Sequence, residues 1–158
     1  MLTKEGCQTR QTRLREELSS AGIDAIALVH PLEIYYFTGV LLPESFPAPP
    51  AVFWFEADGN SWLAAHTDEG DPLVDESVTY EWSIGGTVNS YLRTQLGELV
   101  VDRLQAKNTK AGRVGYQREF MGKLLADHIE KGLGGAPEWV DVDEMLNQMQ
   151  EVKDDDEL

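Results

Sequence analysis

Apolar positions recur at helical spacing near the start of the chain, at Cys7, Leu14, Leu18 and Ala21. The spacing predicts an amphipathic helix over residues 4–21, with Arg13 and Glu17 as an i,i+4 pair. Gly22 supplies its stop. Ala25 to Val29 is continuously apolar, the pattern of a strand covered on both faces. His30-Pro31 ends it, because proline cannot donate to a ladder. LEIYYFTG predicts a short helix or turn closing at Gly39, and the Pro-rich stretch 40–50 predicts a stiff loop. Ala51 to Ala57 reads as a second strand, Asp58-Gly59 as a hairpin turn, and Ser61 to Ala65 as the returning partner.

Residues 66–77 read as an acidic loop, and the alternation of Val78, Tyr80 and Trp82 as a half-buried strand. Thr87 is placed to cap a helix with Val88, Tyr91, Leu92, Leu96, Leu99, Val100 and Leu104 on one face. After a polar loop over 105–112, Arg113 to Tyr116 predicts a strand. A helix over about 117–131 is expected to bury Phe120, Leu124 and Leu125. Glu138 to Val142 is the last predicted strand, and Asp143 is expected to cap a short helix carrying Met145, Leu146 and Met149. The tail EVKDDDEL is expected to be solvated or disordered. Strands alternating with helices in this order define an α/β domain with a mixed sheet and helices on both faces. No internal repeat and no boundary interrupts residues 1–150.

A chain of 158 residues with 42% hydrophobic content is long enough for one well-formed core. The net charge of −15 repels phosphate backbones and anionic lipid, so nucleic acid and membrane surfaces are poor partners. Solubility or a salt-tolerant host explains the acidity most simply; attraction of a basic partner is the lesser reading. The single cysteine, Cys7, rules out an intramolecular disulfide and suits a reducing cytoplasm. Its place on the apolar stripe makes it a packed thiol. The polar N-terminus reads as no signal segment, so the terminal DDEL, which resembles an ER-retention signal, carries no weight.

Hydrolytic chemistry finds no framework in these residues. The three histidines, His30, His66 and His128, stand in no HxH, HxxxH or HExxH spacing. His66 with Asp68, Glu69 and Asp71 is the nearest approach to a metal-ligand cluster, and a solvated loop explains it better. No GxSxG elbow exists. Gly85-Gly86-Thr87 is half a phosphate cradle without the rest of the pattern, and reads as a flexible start to a helix. Of Tyr35, Tyr36 and Phe37, at least two are expected in the core. Phe46, an aromatic in a polar Pro-rich loop, is a candidate contact residue.

Several phrases, in order, resemble the N-terminal domain of the creatinase/prolidase/aminopeptidase P family of Xaa-Pro peptidases (peptidase M24). RLREELSSAGIDAIALVHPLEIYYFTGV resembles that domain's start, with Glu33 where the family usually has Asn. AVFWFEADGNSWLAA resembles its next hairpin, and RVGYQ the strand before its second long helix. WVDVDEMLNQMQEVKDDDEL resembles its linker into the catalytic half; Lys153, Glu157 and Leu158 match, and Gln150 stands where Arg is usual.

The resemblance implies a three-layer α/β/α domain with an RNase H-like mixed sheet over 1–150, and the start of a linker to an absent catalytic domain over 151–158. It implies a non-catalytic role for this chain, with no catalytic or metal-ligating residue and no cofactor of its own. The family's metal pair (Mn, Co or Zn in a parent enzyme) is held by two Asp, one His and two Glu in the other half; creatinase works without metal. The implied partners are the chain's own catalytic domain and a second subunit in a cytoplasmic homodimer. The loop over 41–49, with Leu42, Glu44 and Phe46, is the implied substrate-entrance contact. Two rivals remain at this stage: a free-standing binding or regulatory domain, and a small unrelated enzyme built on His66 and its acidic loop.

Overall fold

A computed structural model describes residues 2–42, 49–66, 70–81, 91–154 and 157. Helix α1 (Lys4–Ala21) starts where the Thr3 hydroxyl accepts the Gly6 amide. It stops at Gly22, whose φ of 65° lies in the left-handed region that favours glycine. Strand β1 (Ala25–Leu28) follows, buried at every position. Pro31 then opens α2 (Pro31–Thr38) at its first turn, where a missing N–H costs nothing. Gly39, at φ 75°, closes it.

The Asp58-Gly59 turn joins β2 (Val52–Glu56) to β3 (Ser61–Ala65), an antiparallel hairpin in which Trp54 faces Trp62. The remaining elements are β4 (Glu76–Thr79), α3 (Leu92–Ala106), β5 (Arg113–Tyr116), α4 (Lys123–Leu133), β6 (Glu138–Asp141) and α5 (Asp143–Glu151). Among the described residues the strands form one sheet in the order β4-β3-β2-β1-β5-β6. The β1–β2 and β2–β3 pairs are antiparallel; β1–β5, β5–β6 and β3–β4 are parallel.

Side-chain alternation then sorts the core into two layers. Ile26, Leu28, Phe53, Phe55 and Leu63 meet Leu14 and Leu18 of α1, Ile34 and Phe37 of α2, and Leu146 and Met149 of α5. Ala25, Ala27, Trp54, Trp62 and Val114 meet Leu96, Val100 and Leu104 of α3 and Ile129 of α4. The small Ala25 and Ala27 leave room on that face for the stacked Trp54–Trp62 pair, whose ring centres are 5.9 Å apart. This is the expected α/β/α sandwich.

Several local expectations are corrected. The stretch 117–122 is a turn rather than the start of a helix, and α4 begins at Lys123. Phe120 and Leu124 are exposed, at 47% and 45%; only Leu125 is partly buried in the core. Glu76 and Ser77 belong to β4, not to the acidic loop. Ala21 is exposed. Arg13 does not turn to Glu17; it donates to the backbone oxygens of Met149 and Val152, at 2.9 and 3.3 Å. Asp143 is the first residue of α5 rather than its cap, and its amide donates to Asp141 Oδ1. Burial, then the charge of Asp141, raises the Asp143 carboxyl above the usual range. The Thr87 cap, Val88 and Trp82 lie outside the described residues, as does Gly85-Gly86.

Candidate functional site

The parallel strands β1 and β5 lie side by side, and the chain leaves their carboxyl ends in opposite directions. From β1 it enters α2, which packs on one face; from β5 it enters α4, which packs on the other. A crevice opens where such connections diverge, the usual place for a ligand in an open α/β sheet. Here it is a cavity of about 230 Å³ whose walls include His30, Leu42, Pro50, Arg93, Phe120 and Leu125. The lining is mostly apolar. Arg93 makes no ion pair among the described residues.

Buried hydrogen bonds fix the rim. Gln117, 1% exposed, accepts the amides of Val29 and His30 through one oxygen, at 2.8 and 3.0 Å. It thereby ties the exit of β5 to the exit of β1 at the point where the ladder has run out. The His30 ring packs on Phe120 at 4.1 Å and its Nδ1 contacts Glu33. Gln117→Leu is expected to strand both amides and to lower stability by about 2 kcal/mol, with Gln117→Glu milder because it keeps an acceptor. Urea denaturation of the two variants checks this.

Leu42, one of the three expected entrance residues, is 3% exposed and packs into the core while closing one side of the cavity. Glu44 and Phe46 lie outside the described residues, which resume at Pro49. Tyr36 and Phe37 are core residues, as expected, and Tyr35 is half-buried. Cys7 is buried at 1%, a packed thiol. Of the acidic cluster proposed around His66, Asp68 and Glu69 lie outside the described residues, and Asp71 pairs instead with Lys4. Among the described residues no group of three or more His, Cys, Asp or Glu side chains could hold a metal ion.

Polar residues that periodicity assigns to the surface prove to be buried. Gln11 donates to the Phe37 and Leu73 carbonyls at 2.9 and 2.7 Å, joining α1 to α2 and to the approach to β4. Arg10 is fully buried; its Nε donates to the Tyr36 carbonyl at 2.7 Å, and its Nη1 meets both oxygens of Asp154. The Tyr36 hydroxyl is pushed up to about 12, by burial first and then by Glu157. No local signal marks these residues, because the Tyr36, Phe37, Leu73 and Asp154 groups that meet them are distant in the chain.

The fold and its crevice define a class: a three-layer α/β/α domain with a six-stranded mixed sheet. The family described as Creatinase/Prolidase N-terminal domain matches residues 10–152, and the chain belongs to that family. A proline dipeptidase from Streptococcus pneumoniae superposes with a TM-score of 0.66 at 13% identity, over 90% of this chain and 98% of that one. The creatinase/prolidase N-terminal domain of an X-Pro dipeptidase from Streptococcus pyogenes gives 0.62 at 12% identity, over 89% and 98%. A Xaa-Pro dipeptidase from Bacillus anthracis gives 0.64 at 12% identity, but there 94% of this chain covers 37% of the other. At such identities the likeness is one of fold. No curated protein matches the sequence. Among the described residues, no helix is long and apolar enough to cross a membrane.

Proposed function

We propose that this chain is the non-catalytic N-terminal domain of a cytoplasmic Xaa-Pro dipeptidase- or aminopeptidase-like hydrolase. Its role is to build the subunit assembly and to shape the entrance of the active site. The family match over residues 10–152 carries the reading. The size relation supports it: the chain spans nearly all of some relatives resolved as N-terminal domains, and 36% of the Pyrococcus horikoshii prolidase. In this reading the partners are a catalytic domain in the same polypeptide and a second subunit of a homodimer. The divalent metal pair (Mn, Co or Zn) belongs to the catalytic domain. Leu42 holds the base of the entrance loop, and Glu44 and Phe46 make the contacts.

The chain alone, incubated with Xaa-Pro dipeptides and Mn²⁺, is expected to release no proline above the buffer rate. Robust turnover would overturn the non-catalytic assignment. The gene downstream of Leu158 is expected to continue in frame with an Asp-Asp-His-Glu-Glu ligand set; an immediate stop codon points instead to a free-standing domain.

A further inference from the structure

The crevice beside the ends of β1 and β5 differs in charge from the rest of the molecule. The chain carries 28 Asp and Glu against 13 Lys and Arg, yet none of the described residues lining the crevice is acidic. Arg93 reaches it from the first turn of α3, Leu124 and Leu125 from the first turn of α4, and neither turn holds an Asp or Glu. Glu33, beside His30, is taken up by the His30 Nδ1 and by the Gln150 Nε2, the latter at 3.4 Å.

Arg93 is exposed and has no hydrogen bond or ion pair among the described residues. Exposed arginines are common, but this one stands at the amino end of α3, the positive end of the helix dipole. A cation there is unfavourable, and a bound anion would relieve it. The other walls are mostly apolar. Leu42 and Leu96 are buried, Leu125 is half-buried, and the His30 and Phe120 rings meet at 4.1 Å to give an aromatic edge. The space of about 230 Å³ exceeds the roughly 150 Å³ that holds benzene, and suits a molecule of about ten non-hydrogen atoms.

We propose that the crevice binds a small apolar monocarboxylate, with its body against Leu96, Leu125 and Phe120 and its carboxylate on the Arg93 guanidinium. Apolar walls alone would accept any molecule of that size. The lone cation, in a lining free of acids, selects an anion, and a carboxylate fits the two-pronged guanidinium. A second carboxylate would lie against apolar walls without a partner, which is costly. The proposal stands apart from the assignment to a hydrolase, because every group it uses lies in this chain.

Two-dimensional ¹H–¹⁵N NMR of the 158-residue chain, titrated with phenylacetate and with phenylacetamide, tests it. The two probes match in size and differ in charge. Phenylacetate is expected to shift the His30, Ala51, Leu96 and Leu125 amides saturably, and to bind at least about fivefold tighter than the amide. Raising NaCl to about 1 M should erase most of that preference. Arg93→Gln should erase it too, while Tm stays at or above the wild-type value, because a cation leaves the positive end of α3. A residue kept only for folding would lower Tm when replaced.

Leu124→Glu places an acid on the lining at an exposed position in the first turn of α4, where an acid favours the helix. It should weaken phenylacetate at least about fivefold and leave phenylacetamide within about twofold. Equal affinity of the wild type for the two probes overturns the proposal, as does a preference that survives in Arg93→Gln or in Leu124→Glu. So does the absence of saturable shifts at these amides with phenylacetate up to about 20 mM.

Discussion

Trp54→Ala is expected to lower stability by about 3–5 kcal/mol, the range for emptying a large buried aromatic site. Trp54 is fully buried in β2 and is the largest fully buried side chain among the described residues. It stacks on Trp62 across the hairpin, faces Leu96 and Val100 of α3, and donates its indole N–H to Glu56 at 3.0 Å. Its neighbours on the same face of β1 are Ala25 and Ala27, which have no longer side chains to move into the space. The site therefore collapses poorly, which places the loss high in the range. At this chain length the loss corresponds to a fall in Tm of roughly 10 °C. Trp54→Phe, which keeps a ring, should lose less than half as much. Thermal melts of the two variants followed by far-UV circular dichroism check the order.

Gly132→Val is expected to be the second most damaging change, at about 3 kcal/mol, because overpacking a close helix contact forces backbone to move. Gly132 lies in α4 where it crosses α3. A Cβ there would stand 2.8 Å from Leu104 Cδ1, 3.0 Å from Leu104 Cβ and 3.2 Å from the Val101 Cα. The last of these is backbone and cannot rotate away. Gly97 on α3 makes the reciprocal approach: a Cβ there would stand 2.5 Å from the His128 ring, so the two helices touch through a glycine from each. Gly132→Ala should cost about 1 kcal/mol, since Leu104 can yield a little. Urea titrations of both variants give the comparison. A valine variant as stable as wild type would show that the helices separate freely.

Much of this architecture was legible along the chain. The run Ala25–Leu28 reads as a strand covered on both sides, and it is one of the two middle strands of the sheet. Gly22, Gly39 and Asp58-Gly59 mark stops and a turn through their own backbone chemistry, which needs no distant partner. The likeness of local phrases to one family, in the right order, was also in the sequence. Misplaced features share another cause. Phe120 and Leu124 fit a helical stripe, but Phe120 lies in a turn in which the Phe120 and Met121 amides both bond the Gln117 carbonyl, and Leu124 is on an exposed side of the first turn of α4. Their side chains edge a crevice instead of filling the core.

Sequence by itself determined which faces are apolar and where elements must stop, because these follow from periodicity, glycine and proline. Only the tertiary structure decided that β5 enters beside β1, that Gln117 clamps the rim of the crevice and that Arg10 is buried against Asp154. A polar side chain goes inside only when a partner meets it there. For Arg10 one such partner, Asp154, lies 144 residues away, beyond the reach of any local pattern.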